Sequence, residues 1–201
     1  MDGDTVTTLV VIGQGYVGLP MALRATEVGI TVLGLDTNER TVASLNSGRS
    51  HIDDISDAEL GAALAAGYRA TTDGGCIADA DVVIVCVPTP LASDGGPDLG
   101  PVESAARTIG AHLTKGTLVI LESTTYPGTT EEIFAPLVLK QGFKVGADVH
   151  IAFSPERIDP GNPRFGLRNT PKIVSGLTPR CLELAQAVYG TVTDSLVPVS
   201  S

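Results

Sequence analysis

The sequence predicts an α/β fold of the Rossmann type: a doubly wound, mostly parallel sheet with helices on both faces. Three observations predict it. Apolar runs of strand length alternate with helix-compatible stretches along the chain. A glycine turn, Gly13-Gln14-Gly15-Tyr16-Val17-Gly18, directly follows the apolar run Leu9-Val10-Val11-Ile12 and directly precedes a helix-compatible stretch. The next apolar run, Thr31-Val32-Leu33-Gly34-Leu35, ends in Asp36, 23 positions past Gly13.

Taken in order, residues 7–12 form the first strand and 16–28 the first helix. Residues 31–35 form the second strand and 38–47 a short helix. Ser56 and Glu59, three apart, make a capping box that opens a helix running to Ala66. Residues 68–71 suit a short third strand. Residues 82–87 are continuously apolar, as a strand buried on both faces requires. Asp98 is placed to cap a helix through Leu113, and the next strand follows at 117–121. A helix is expected over 129–140, bent at Pro136. Strands at 151–153 and 172–175, a helix at 179–189 and a last strand at 195–199 complete the pattern. The turn-rich loops Asp94-Gly95-Gly96-Pro97-Asp98 and Asp159-Pro160-Gly161-Asn162-Pro163 are too short to be domain linkers. Residues 1–201 therefore read as one domain.

Composition narrows the function. The 201 residues carry a net charge of −10, which argues against nucleic acid, whose phosphates need clustered Lys and Arg. No apolar run reaches the ~20 residues that span a bilayer. The start, Met1-Asp2-Gly3-Asp4, lacks the hydrophobic region of a signal peptide. No membrane association and cytoplasmic residence are the expectations. Cys76, Cys86, Cys181, His51, His112 and His150 show no metal-ligand spacing and read as structural or surface residues, so no metal site is expected.

The glycine turn in this context is a dinucleotide-binding fingerprint. Gly13 serves the tight turn, Gly15 lets a pyrophosphate approach the backbone, and Gly18 lets helix and sheet pack closely. The helix N-terminus, which opens with Tyr16 and Val17, offers N–H groups and partial positive charge to phosphates. A carboxylate at Asp36 accepts hydrogen bonds from a ribose diol and repels a 2′-phosphate, so NAD is expected rather than NADP. Further polar loops follow the strands on the edge where such sheets bind ligands: Val87-Pro88-Thr89-Pro90, Glu122-Ser123-Thr124-Thr125-Tyr126-Pro127-Gly128-Thr129-Thr130, and Phe153 through Ser154-Pro155-Glu156-Arg157-Ile158-Asp159-Pro160-Gly161-Asn162.

With those segments the chain resembles the nucleotide-sugar 6-dehydrogenases, the UDP-glucose and GDP-mannose dehydrogenase family, from Leu9 to Ser200. The segment Ser154 to Asn162 looks most like the branch that oxidises UDP-N-acetylhexosamines, with UDP-N-acetylglucosamine the favoured substrate and UDP-N-acetylmannosamine next. The UDP-glucose branch usually has a second Glu where this chain has Pro160. The resemblance implies a double oxidation of the sugar's C6, from alcohol through aldehyde to acid, with two NAD molecules reduced and a cysteine thiolate carrying the intermediate. It implies that Thr89 contacts the cofactor, that Thr124 orders water beside the nicotinamide, and that Glu156 orients or deprotonates water for thioester hydrolysis. It also implies that the nucleophilic cysteine, a central helix with a catalytic lysine and asparagine, and a UDP-binding domain lie beyond Ser201. The chain is then the N-terminal part of such an enzyme, unable by itself to oxidise a UDP-sugar. The full-length enzyme would be a homodimer through that helix and this part a monomer. The alternatives are the cofactor domain of a UDP-glucose 6-dehydrogenase, a two-electron dehydrogenase of the β-hydroxyacid type, and a non-catalytic NAD-sensing module.

Overall fold

The computed structural model describes residues 7–91, 95–157, 164 and 166–200. Asp94 and the stretch Ile158-Asp159-Pro160-Gly161-Asn162-Pro163, both singled out in the sequence, lie outside the described residues.

Eight strands form one sheet in the order β3-β2-β1-β4-β5-β6-β7-β8. They are β1 (Thr8–Ile12), β2 (Thr31–Leu35), β3 (Arg69–Thr71), β4 (Val82–Val85), β5 (Leu118–Leu121), β6 (His150–Phe153), β7 (Lys172–Gly176) and β8 (Leu196–Pro198). The first six are mutually parallel. This is the doubly wound arrangement, and its strand order reverses beside β1, with β2 on one side and β4 on the other. β7 departs from it by pairing antiparallel to β6, with Phe153 opposite Ser175. β8 then runs parallel to β7.

Alternation along each buried strand feeds two cores, because successive side chains point to opposite faces. Leu9 and Val11 of β1 and Val82 and Ile84 of β4 pack with helices α1 (Gly18–Glu27), α3 (Asp57–Ala65) and α6 (Pro179–Val192). Val10, Ile12, Val83 and Val85 pack on the other face with α4 (Gly100–His112) and α5 (Ala135–Val138). The remaining helix, α2 (Glu39–Asn46), follows β2. Among the described residues no helix is long and apolar enough to cross a membrane.

Local chemistry sets the helix ends. Asn38 caps α2, its side chain accepting from the N–H groups of Arg40 and Thr41. The capping box expected before α3 is complete: Ser56 Oγ accepts from Glu59 N at 3.2 Å and Glu59 Oε2 accepts from Ser56 N at 2.8 Å. The Ser56 hydroxyl and N–H hold the Glu59 carboxyl below its ordinary value. Its contribution is therefore present above the unfolded value of 4.5 and is lost as pH falls through the lower folded value. We expect Ser56→Ala to cost about 1 kcal/mol at neutral pH and less near pH 3, by urea unfolding at both. A cost unchanged between the two pH values would reject the reciprocal box.

Helix starts differ from the sequence expectation in several places; α1, expected from residue 16, begins at Gly18. Leu99 occupies the position before α4, and Asp98 acts one residue earlier by accepting from Gly100 N at 2.8 Å. The helix expected over 129–140 is instead a π-helical turn, Thr129–Phe134, followed by the short α5. Pro136 does not bend a continuous helix; it sits in the first turn of α5, where its missing N–H costs nothing. A 3₁₀ turn, Gly74–Asp79, is an element that the apolar pattern did not reveal.

Candidate functional site

The carboxyl ends of β1, β2 and β4 border a cleft of about 930 Å³, within the range of small-molecule sites. Gly13, Gly15, Tyr16, Val17 and Asp36 all line it, joined by Val87 and Pro88 from the loop after β4 and by Ser104 and Thr108 of α4. Gly18 is buried and is not among the residues that line the cleft. His51 and Cys86, read from sequence as structural or surface residues, also stand on its wall.

The three glycines of the fingerprint have separate physical reasons. Gly13 has a φ of +89°, and a β-carbon there would lie 2.7 Å from the Cys86 carbonyl oxygen. The squeeze follows from the register, since Gly13 N donates to Leu35 O and Cys86 N donates to Ile12 O. At Gly18 a β-carbon would lie 1.8 Å from the Gly13 oxygen and 3.2 Å from Cys86 Cβ. The fold itself forbids side chains at both. At Gly15 a β-carbon would meet nothing within 4 Å. The fold leaves that space open, on the wall of the cleft, where a phosphate could reach the backbone.

The electrostatics of the cleft suit a dinucleotide. No side chain caps α1 and no acidic residue occupies its first turn, so its N-terminal N–H groups and dipole are left for an anion. At the end of β2 Asp36 is fixed by backbone donors: Gln14 N reaches Oδ2 at 2.8 Å and Asn38 N reaches Oδ1 at 2.9 Å. The carboxylate is thus held at the end of β2, one strand from the glycine loop.

The other expected site residues stand further along the same edge. Thr89 and Thr124, 35 positions apart, are brought together: Thr89 Oγ1 donates to Thr124 O at 2.7 Å. Ser123 Oγ donates to Val87 O at 2.7 Å, so the loops after β4 and β5 are stitched as one. Glu156 follows β6 and shares a small hollow with Arg157, Thr170 and Lys172 rather than the main cleft. The sheet brings these residues into a row at the ends of adjacent strands β4, β5 and β6.

Sequence inspection missed a buried polar cluster behind that row. Glu122, directly after β5, is ion-paired to Lys172, the first residue of β7, and accepts from Tyr189 Oη of α6 at 2.7 Å. The Lys172 ammonium also lies 5.1 Å from the centre of the Tyr189 ring. Burial and the Glu122 charge keep the Tyr189 phenol protonated. The only available signal was a Lys heading an apolar run and a Glu closing another. None of the cysteines is bonded to another. Burial raises the Cys86 thiol well above its ordinary value and pushes Cys76 up to about 11, the opposite of what activates a nucleophile.

Residues 7–193 match the family described as the UDP-glucose/GDP-mannose dehydrogenase family, NAD binding domain. The chain is 38% identical to a UDP-N-acetyl-D-glucosamine 6-dehydrogenase of Pseudomonas aeruginosa, over 89% of this chain and 42% of that protein. It is also 38% identical to a UDP-N-acetyl-D-mannosamine dehydrogenase of Salmonella typhi, over 91% of this chain and 45% of that protein. Among solved structures, the UDP-D-ManNAc dehydrogenase of Pyrococcus horikoshii superposes with a TM-score of 0.91 at 33% identity, covering 97% of this chain and 47% of that one. The chain spans less than half the length of each.

Proposed function

The chain belongs to the UDP-glucose/GDP-mannose dehydrogenase family, as its NAD-binding domain, and from that premise we propose that it is the cofactor half of an NAD-dependent UDP-N-acetylhexosamine 6-dehydrogenase. The observation that carries cofactor binding is Gly15, a residue the fold does not require, set where its missing side chain opens the cleft wall. Bound there, NAD would supply the hydride acceptor for oxidation at the sugar's C6. The glycine loop and the α1 N-terminus would hold the pyrophosphate, and Asp36 the adenosine ribose. Thr89 would contact the cofactor, Thr124 would order water beside the nicotinamide, and Glu156 would orient or deprotonate water for release of the acid. The stitched Thr89–Thr124 loops support the shared task, since a bond between them fixes one against the other. Cytoplasmic residence and a homodimeric complete enzyme go with this assignment.

For the sugar, UDP-N-acetylglucosamine is preferred, on the likeness of the segment that begins at Ser154. Relatives named for both the glucosamine and the mannosamine epimers are equally similar. NADH formation by the complete enzyme with UDP-N-acetylglucosamine, UDP-N-acetylmannosamine and UDP-glucose, assayed separately, decides between them. Turnover of UDP-glucose alone would reject the acetylhexosamine assignment.

The cofactor proposal is tested by titration calorimetry with NAD and NADP. Asp36 offers a charged acceptor to a ribose diol, an interaction of about 1.5–3 kcal/mol. Asp36→Ala should therefore weaken NAD roughly 10- to 100-fold and bring the two cofactors to similar affinity. Equal affinities in the unmodified chain would overturn the preference for NAD.

A further inference from the structure

The second residue of the glycine turn is a buried glutamine whose side chain is hydrogen-bonded within the fold. Gln14 is wholly inaccessible to solvent. Its Nε2 donates to Val11 O at 2.7 Å, and its Oε1 accepts from Tyr68 Oη at 2.8 Å. Tyr68 is equally buried and stands immediately before β3. The pair fills the space above Gly34 of β2, where a β-carbon would come within 2.5 Å of the Gln14 amide and 2.6 Å of Tyr68 Oη. Three consecutive strands in the sheet order therefore meet at one amide. The backbone N–H of the same Gln14 holds Asp36 Oδ2.

We propose that Tyr68 and Gln14 form a buried lock that positions the Asp36 carboxylate for the dinucleotide's ribose, so that Tyr68 is a positioning residue for NAD selectivity. The inference rests on the NAD-binding assignment. Neither member can slip without cost, because a buried amide oxygen or hydroxyl that loses its partner keeps its full desolvation penalty. With the side chain pinned at both ends, the Gln14 peptide plane is fixed, and its N–H can only point at Asp36. Burial, together with the Asp36 charge, holds the Tyr68 phenol protonated, so it stays a donor to Gln14 Oε1. Take the hydroxyl away and the Gln14 amide is freed at one end. The N–H that orients the carboxylate then loses its direction.

The test is Tyr68→Phe, alone and combined with Asp36→Ala, with NAD and NADP titrated against each and the Gln14 amide followed by hydrogen exchange. Loss of one hydrogen bond's worth of orientation predicts NAD affinity roughly three- to tenfold weaker. NADP affinity should be unchanged or tighter, and the Gln14 amide should exchange faster. On the Asp36→Ala background the same change should leave NAD affinity where it was, since nothing remains to be positioned. Equal weakening of both cofactors, or a loss that persists without Asp36, would overturn the inference and leave the hydroxyl a structural group. Gln14→Met removes the acceptor at similar length and gives the same readings if the first variant does not fold. An unmodified chain that binds neither cofactor would reject the NAD assignment and the inference with it. An unmodified chain that binds NAD while the Gln14 amide in Tyr68→Phe exchanges as before would reject the lock alone.

Discussion

Gly15→Val is expected to abolish dinucleotide binding while the protein stays folded. A β-carbon at Gly15 meets no atom within 4 Å, so the added isopropyl group extends into the open cleft. Surface changes of that kind usually shift stability by no more than about 0.5 kcal/mol. The same group would occupy the approach to the backbone N–H groups of the loop, and a phosphate held off by even a methyl's width loses those bonds together. We expect NAD affinity to fall by two orders of magnitude or more, on the order of 3 kcal/mol, with the thermal midpoint moved by only about 1–2 °C. Gly13→Ala and Gly18→Ala are the contrast. Each places a β-carbon against backbone, 2.7 Å from the Cys86 oxygen in one case and 1.8 Å from the Gly13 oxygen in the other, and each should destabilise the fold. Circular dichroism melts and calorimetry on the three variants separate ligand space from packing space. Unaltered NAD binding by Gly15→Val would mean that the pyrophosphate does not lie against this residue.

That contrast also shows how far sequence carries. The glycine turn, the β1–α1–β2 unit and Asp36 were legible because they are local: the loop's requirements fall within six consecutive positions, and the acid lies at a spacing set by one helix and one strand. The capping box before α3 was legible for the same reason. Strand direction was not. The apolar residues 172–175 fit a strand in either sense, and only the chain's path between β6 and β7 decides that β7 runs antiparallel. The π-helical turn at Thr129–Phe134 was hidden too. Pro136 marked the trouble but not its form: lacking an N–H, it cannot bond back to the carbonyl four residues earlier, and the chain accommodates this by starting α5 afresh. Least legible were the polar pairs inside the fold. Gln14 and Tyr68 are 54 positions apart, and each alone reads as an ordinary loop or strand residue. Thr89 and Thr124 were both named from the sequence, yet nothing in either segment showed that one bonds the other.

Lys172→Met is expected to be the most destabilising single change considered, because it strands a charge. Glu122 is wholly buried and Lys172 nearly so, and Tyr189 supplies the only other hydrogen bond to that carboxylate found among the described residues. Taking one partner from a buried ion pair costs about 3–5 kcal/mol, since the remaining charge keeps its desolvation penalty without compensation. In a chain of this length that is a fall of roughly 6–20 °C in the thermal midpoint. Adding Glu122→Gln removes the charge while keeping an acceptor for Tyr189 Oη, and the double variant should recover more than half of the loss at neutral pH. Thermal melts of the single and double variants at neutral pH measure both the loss and its recovery. A loss below about 1 kcal/mol in Lys172→Met, or a double variant no more stable than the single one, would show that the pair behaves as a solvated contact and does not join β5, β7 and α6 behind the loops that carry Thr124 and Glu156.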